Sequence, residues 1–452
     1  MPVYSPGVSV PRQRGSKNPA RVIALGAASV LVVGTCALML PISYPHDAPS
    51  VVDALFTAVS AMCVTGLATL DTQTAWTPFG QFVIAALIHI GGLGVMTLAT
   101  LLSMAMLRKL GVRTRLMSAQ ETRGNLSNAG HVVRGVLATT LVVELSVAFI
   151  LFLRFLLHYH LSFPAALGRA LFHSVSAFNN AGFAMYTRNL IDFNDDPWIL
   201  MPIAIAVILG GLGFPVVMEL VKRYRTPMHW SLTTKLMMLG TPILLVGGTL
   251  FTIIIEWTNP GTIGSMPFWQ KLMNAFFHST VSRTAGFSAI DNNLMHPETW
   301  LLTDVLMIIG GGPAGTAGGL KITTVLVLLA IVRGELRGDP YVLIFGKRLS
   351  RGQHREVITI VVLMVIGVIT VTATLMLIEP FSLDRLLYEC ISAASTTGLS
   401  TGITASLHPV SKLLLCVLMF AGRVGPTTLG VALALRRRPL MYEPAKERPL
   451  IG

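Results

Sequence analysis

The stretch FTAVSAMCVTG, Phe56 to Gly66, returns three more times in the same frame: FHSVSAFNNAG from Phe172 to Gly182, FFHSTVSRTAG from Phe276 to Gly286, and YECISAASTTG from Tyr388 to Gly398. The four align without gaps on their glycine. Each opens with an aromatic residue ten positions earlier, carries Ser or Thr between, and is followed directly by Leu67, Phe183, Phe287 or Leu399. The glycines recur at intervals of 116, 104 and 112 residues, which is the mark of a duplicated unit. A lone glycine among small residues in an apolar segment is ordinarily a helix-packing position. Four in one context call for a common cause.

Around each glycine the chain reads alike: a long apolar helix, a short amphipathic segment, the glycine, a polar stretch, and a second long helix. Crossing ~30 Å of hydrocarbon takes about 20 helical residues. Eight segments qualify, near Arg21 to Leu40, Phe79 to Leu102, Val132 to Leu157, Trp198 to Val221, Leu236 to Trp257, Trp300 to Val332, Val357 to Ile378 and Lys412 to Leu435. The first is too long for a signal-peptide core and reads as a retained span. The short segments cannot span, so they are expected to re-enter the membrane enclosed by protein or a water-filled cavity. The expected fold is an all-α integral membrane protein with four parallel helix, pore-loop, helix repeats around one pseudo-fourfold pore: eight spans plus four re-entrant pore helices. The repeats are placed at 21–104, 132–221, 236–333 and 357–435. A segment 1–20, loops 105–131, 222–235 and 334–356, and a tail 436–452 complete the division.

Composition agrees. Hydrophobic residues make up 53% and charged residues 12%, with mean hydropathy +0.68, against roughly 25% charge in soluble domains. A net charge of +13 raises the question of nucleic acid, and the placement of the charge answers it. Lys and Arg gather in Arg12 to Arg21, Arg108 to Arg134, Lys222 to Lys235, Arg333 to Arg355 and Arg436 to Arg448. The opposite connections carry Asp47, Asp71, Asp192, Asp195, Asp196, Asp291 and Glu298. This is the positive-inside pattern, which turns both termini and the three basic loops to the cytoplasm and to anionic lipid headgroups. No nucleic-acid partner is expected. Cys36, Cys63, Cys390 and Cys416 lie in apolar stretches at no metal-ligand spacing and read as buried spectators.

A cation inside a membrane can shed water only where oxygen dipoles replace it, as rings of backbone carbonyls do in potassium filters. Glycine suits such a strand because it reaches φ > 0 without a Cβ clash. The expected filter triplets are Val64-Thr65-Gly66, Asn180-Ala181-Gly182, Thr284-Ala285-Gly286 and Thr396-Thr397-Gly398. With one glycine in each, fewer ion sites are expected than in a longer filter.

A second set of marks has its first glycine 24 to 28 residues beyond each of these glycines: IGGLG from Ile90, LGGLG from Leu209, IGGGPAGTAGGLK from Ile309 and AGRVGP from Ala421. The first two read as close helix packing. The third cannot hold a helix, because Gly310, Gly311, Gly312, Gly315, Gly318 and Gly319 with Pro313 break it. A flexible loop there, with Thr316, is a gate candidate. Intramembrane charges are costly and are functional candidates by default; Glu144, Lys321 and Arg423 stand out. Arg423 lies too deep to snorkel and reads as a gate residue held across the ion path by backbone carbonyls of the Gly310 to Gly319 loop, or in the competing reading as a brace paired with Glu144. For Glu144 and for Lys321, a structural ion pair or snorkelling reads equally with a transport role. Arg283 reads as a brace behind the third strand through backbone carbonyls. His89, His173 and His278 read as satisfied structural groups and are assigned no role.

The strings CVTGL, FNNAGF, SRTAGFS and STTGLST, with GGGPAGTAGGLK and GRVGP after the third and fourth, resemble the Trk/Ktr/HKT superfamily of potassium transporters over nearly the whole chain. One span before the first pore loop makes the chain similar to the shorter Ktr-type subunit. The resemblance implies a bacterial plasma-membrane protein that carries K⁺, forms homodimers with a pore in each protomer, and meets a cytoplasmic ring of nucleotide-binding regulatory subunits; Na⁺ activation is common among Ktr-type members. It also implies that Gly66, Gly182, Gly286 and Gly398 form the filter, that Gly310 to Gly319 form the intramembrane loop, and that Arg423 obstructs the closed pore. One departure is ELSVA after Glu144, where a glycine is expected nearby.

Two other classes fit less well. An ion-coupled secondary transporter with inverted repeats would need ionisable residues near the midplane, whereas here the repeats read as parallel and the acidic supply as one Glu. An enzyme would need a catalytic motif, and the chain has no HExxH, paired catalytic Asp or nucleophile elbow.

Overall fold

The structure is a computed structural model that describes residues 19–109 and 129–435. The expected N-terminal segment, the basic loop after residue 109 and the tail from 436 lie outside the described residues, apart from a few at their edges. In the first unit, α1 (Pro19–Leu38), α2 (Val51–Cys63) and α3 (Pro78–Lys109) follow one another. The second unit has α4 (Ala129–Leu157), α5 (Phe163–Phe178), α6 (Pro197–Leu212) and α7 (Phe214–Arg223). The third has α8 (Leu232–Glu256), α9 (Phe268–Val281), α10 (Pro297–Ile308) and α11 (Ile322–Arg337). The fourth has α12 (Arg351–Ile378), α13 (Leu383–Ser395) and α14 (Pro409–Leu435).

The helix after each glycine opens on proline, at Pro78, Pro197, Pro297 and Pro409. A first-turn N–H has no partner within the helix, so proline there forfeits nothing and its fixed φ starts the turn. The packing also recurs. α1 lies on α2, α4 on α5, α8 on α9 and α12 on α13. The third helix of each unit lies on the short helix of the next: α3 on α5, α6 on α9, α10 on α13, and α14 on α2. That last contact closes the order on itself, and Lys412 Nζ pairs with Asp53 Oδ1 at 2.9 Å across it. The apolar core follows these seams: Phe178, Ile199 and Phe277 join the second and third units, and Ala58, Ile84 and Phe183 join the first and second.

Among the described residues, Val133–Leu157, Leu232–Glu256 and Gly352–Ile378 are long and apolar enough to cross a membrane as single helices, with mean hydropathy 2.4, 2.1 and 2.7. Eight such spans were expected. The expected span Trp198 to Val221 is instead bent by 99° between α6 and α7. The bend sits at Gly213, φ 90, where the Pro313 carbonyl occupies the place a Cβ would take and Phe214 N–H donates to Ala314 O at 3.4 Å. The expected span Trp300 to Val332 breaks between α10 and α11, as its glycines predict. Leu25–Leu38 of α1 and Pro78–Gly94 of α3 are apolar stretches of their helices.

Cys63, Cys390 and Cys416 are buried as expected, but Cys36 is exposed. Among its described side chains, α1 buries the stripe through Ala27, Leu31, Thr35 and Leu38, and Cys36 points off that stripe. The basic loop 334–356 contains a hairpin, β1 (Leu343–Ile344) and β2 (Lys347–Arg348), which packs through Val342, Ile344 and Leu349 on Leu236 and Ile331.

Candidate functional site

The four triplets meet. α2 ends at Val64 (φ 57) and α13 at Thr396 (φ 52), both left-handed, while Asn180 (φ 59) and Thr284 (φ 74) hold the equivalent place after α5 and α9. Two residues later the glycines return to positive φ, at 96° for Gly66 and Gly398 and 70° for Gly182 and Gly286. Only glycine takes the last position cheaply.

A Cβ built on each glycine would collide with the next triplet in chain order. Gly66 faces the Ala181 carbonyl with Gly182 Cα at 3.2 Å, and Gly182 faces the Ala285 carbonyl with Gly286 Cα at 2.8 Å. Gly286 faces the Thr397 carbonyl with Gly398 Cα at 3.0 Å, and Gly398 faces the Thr65 carbonyl with Gly66 Cα at 2.9 Å. The glycines therefore form a closed ring, and each middle residue's carbonyl lies beside the neighbouring glycine. Hydroxyls hold the strands from behind. Ser60 Oγ accepts from Gly66 N at 3.1 Å, Ser392 Oγ accepts from Gly398 N at 3.0 Å, and Ser176 Oγ donates to Phe183 O at 2.8 Å.

The second set of marks collects on the same core. A Cβ on Gly91, Gly210 or Gly422 would strike the carbonyl of Met62, Phe178 or Ala394, each four residues before a ring glycine. The packing reading of the first two marks is thus met in atoms. Between α10 and α11 the chain folds into a loop closed at its neck by Gly310 N to Leu320 O (2.9 Å), Leu320 N to Ile308 O (3.0 Å) and Ile322 N to Gly311 O (3.0 Å). It docks on α6 through Gly312 N to Gly211 O at 2.7 Å and Thr316 N to Gly210 O at 3.1 Å, and Gly315 lies against the same two carbonyls. Thr316 Oγ1 donates to Phe178 O at 3.0 Å and lies 3.2 Å from Asn180 Oδ1. A Cβ on Gly318 would strike Thr396 Oγ1, and Gly319 has φ 60.

Arg423, 4% exposed, donates one guanidinium nitrogen to the Thr316 carbonyl and another to Gly91 O at 3.3 Å. One element from each unit therefore converges beside the glycine ring. Residues 14–438 match the TrkH family, described as cation transport proteins. The chain belongs to that family. The Ktr system potassium uptake protein B of Bacillus subtilis is 38% identical over 419 residues, covering 91% of this chain and 92% of its own length. The protein of that name in Vibrio alginolyticus is 35% identical over 448 residues, covering 98% and 96%. The crystal structure of the potassium transporter TrkH from Vibrio parahaemolyticus matches with a TM-score of 0.75 over 94% of this chain and 86% of that one, at 17% identity, and shows a shared fold.

Several expectations change in this TrkH-family chain. Arg423 does not pair with Glu144. Glu144 Oε1 accepts from Asn179 Nδ2 at 2.9 Å and stands 3.5 Å from His89 Nδ1, so its partners come from its own unit and the one before. Lys321 Nζ donates to Ala317 O within its own loop, 2.5 Å away. Arg283 does brace through a carbonyl, but that of Thr241 on α8, at 3.4 Å. His173 and His278 are satisfied, the first by Arg169 O and Met185 N and the second by Thr303 Oγ1.

The acidic supply is larger than one Glu. Glu256, Asp304 and Glu389 are also buried. Glu389 Oε1 accepts from Ser400 Oγ (2.6 Å) and Thr401 N (3.0 Å), and its Oε2 accepts from Thr404 Oγ1 (2.8 Å), pinning the segment after the fourth triplet. Glu256 accepts from His296 N at 2.9 Å and Glu379 accepts from His408 N at 2.7 Å. In both, a Glu closing a unit's first helix holds a His-Pro that opens its third. That repeated pairing is a sequence signal which the glycine frames alone pass over.

Proposed function

We propose that this chain takes up potassium across a bacterial plasma membrane, conducting it through the ring of Val64-Thr65-Gly66, Asn180-Ala181-Gly182, Thr284-Ala285-Gly286 and Thr396-Thr397-Gly398. In this reading the four units stand parallel around one pore as eight spans and four re-entrant helices, with both termini in the cytoplasm. The observation that carries it is the closure of the four glycines on one another, with a main-chain carbonyl beside each. Such oxygens replace the water a cation sheds. The names of the similar Ktr proteins, potassium uptake, support the choice of ion.

The loop Gly310, Gly311, Gly312, Pro313, Gly315, Thr316, Gly318 and Gly319, with Lys321 and Arg423, is the gate. A guanidinium held there by carbonyls puts fixed positive charge on the ion path, where low-dielectric walls screen it little. Movement of the loop releases it. The protein works as a homodimer with a pore in each protomer, Na⁺ as an activator, and a cytoplasmic ring of nucleotide-binding subunits seated on the basic loops. The words "Ktr system" in the relatives' names support a protein of several components.

The test is Rb⁺ flux into liposomes down its own gradient, which this reading expects without a stoichiometric counter-ion. Flux that needs Na⁺ or H⁺ to move with it favours ion-coupled symport instead. The observation on that side is Asp304, buried on α10 with its Oδ1 unpaired.

A further inference from the structure

A cavity of about 170 Å³ opens between α12, α14 and the end of the gate loop. Its walls include Leu363 and Gly367 of α12, Leu418 and Ala421 of α14, and Gly319 and Leu320 of the loop, and none of its lining side chains is polar. Ala421 stands two residues before Arg423, and Gly319 stands three after Thr316. The cavity therefore touches both chain segments that carry the Arg423–Thr316 contact.

An apolar cavity of about this size stays dry and accepts an apolar guest. Its environment names the guest. Leu363 is 47% exposed, and Val362, Ile366 and Ile369 continue its bared apolar flank along a helix of mean hydropathy 2.7. A span of that character is solvated by hydrocarbon, so the molecules at the cavity mouth are acyl chains.

We propose that the cavity is a binding site for one acyl chain of a membrane lipid, and that an occupied site holds the gate in its closed arrangement. The second half rests on the gate reading above. A ligand favours the state it binds. Freeing Arg423 requires the loop to move, and Gly319 and Leu320 are at once part of that loop and walls of the site, tied at its neck by the Ile309–Leu320 bridge. A chain seated against them resists the movement.

The test uses the full chain in liposomes doped with phosphatidylglycerol carrying a photoactivatable diazirine on one acyl chain. Adducts are mapped by peptide mass spectrometry, and Rb⁺ flux is measured in the same vesicles. Wild type is expected to carry adducts at Met364 and Leu418 as well as on the exposed flank of α8 at Leu250 and Ile254. Gly367→Leu should lose the first group and keep the second, because a Cβ there meets only Leu418 Cδ2, at 3.9 Å, and the larger side chain grows into the cavity. As a permanent occupant it should also lower resting flux several-fold, with Gly367→Ala between it and wild type.

Absence of cavity adducts in wild type, their persistence in Gly367→Leu, or crosslinks there to a second copy of the chain overturns the site. Lost adducts with unchanged flux overturn its coupling to the gate. Arg423→Ala in the same vesicles separates the two readings: unchanged flux in that variant sinks the gate, while the adduct map still decides the lipid site.

Discussion

Arg423 donates to the main-chain carbonyl of Thr316, and the Thr316 hydroxyl donates in turn to the carbonyl of Phe178, 3.0 Å away at the foot of the second ring strand. A side chain of the fourth unit thus holds a loop of the third against the second, and its other nitrogen reaches Gly91 O of the first. Contacts so distributed make a latch, since releasing one partner loosens the rest.

Arg423→Ala should therefore raise Rb⁺ flux in the resting protein and weaken its dependence on the proposed regulatory partner. Flux is read per folded molecule, normalised by size-exclusion recovery, with and without partner. Lower flux with poor recovery would make the arginine a brace.

Thr316→Val removes the hydroxyl from Phe178 O and Asn180 Oδ1 while keeping the side chain's shape. A hydrogen bond of this kind contributes about 1 kcal/mol, so the ratio of docked to undocked loop should fall roughly fivefold. Resting flux should rise by a similar factor with K⁺ over Na⁺ preference intact. Deleting Thr316 to Gly318 should raise it further. A loss of selectivity in Thr316→Val would place the residue in the filter instead.

Gly213→Ala tests the bend. The position has φ 90 and the Pro313 carbonyl stands where the methyl would go. Strained backbone of this sort costs about 1–3 kcal/mol, so the variant should aggregate at lower temperature in a heated size-exclusion assay. Gly94→Ala on α3, where a Cβ meets nothing within 4 Å, should leave the midpoint unchanged. Equal midpoints for the two variants would mean that the bend is not imposed by the loop.

Glu389→Ala leaves the Thr401 amide and two hydroxyls without their buried acceptor. Each such orphan costs about 1–3 kcal/mol. The alanine variant should lose both thermal stability and K⁺ preference, and Glu389→Gln, which keeps one acceptor oxygen, should lose much less. Identical behaviour of the two would remove the anchoring role.

The glycine frames and the break at Gly310 to Gly319 were legible because each is a local statement: a residue type at a fixed distance from an aromatic, or a run that no helix tolerates. The bend at Gly213 was not. LGGLGFPVV reads as one apolar helix, and what folds it over is the carbonyl of Pro313, 100 residues later in the chain. The partner of Arg423 was legible in part: its depth along α14 levels it with the glycine loop, whose carbonyls are the expected holders, and Thr316 O is one of them, whereas the rival pairing with Glu144 does not form. Glu144 itself was visible, but its neighbour His89 lies 55 residues away on α3, and only the packing of α3 on the second unit brings them together. Cys36 was misplaced because hydropathy alone does not tell which side of an apolar helix faces its neighbours.

The central claim is that the closed ring of glycines selects the ion. Ser at any of these positions adds a Cβ that must displace the next strand's carbonyl, at Gly66, Gly182, Gly286 and Gly398 alike. The deciding measurement is Rb⁺ uptake into liposomes with Na⁺ as competitor, for wild type and Gly66→Ser, Gly182→Ser, Gly286→Ser and Gly398→Ser. The account predicts that each serine variant, recovered folded, admits Na⁺ far more readily than wild type; unchanged discrimination in all four would contradict it.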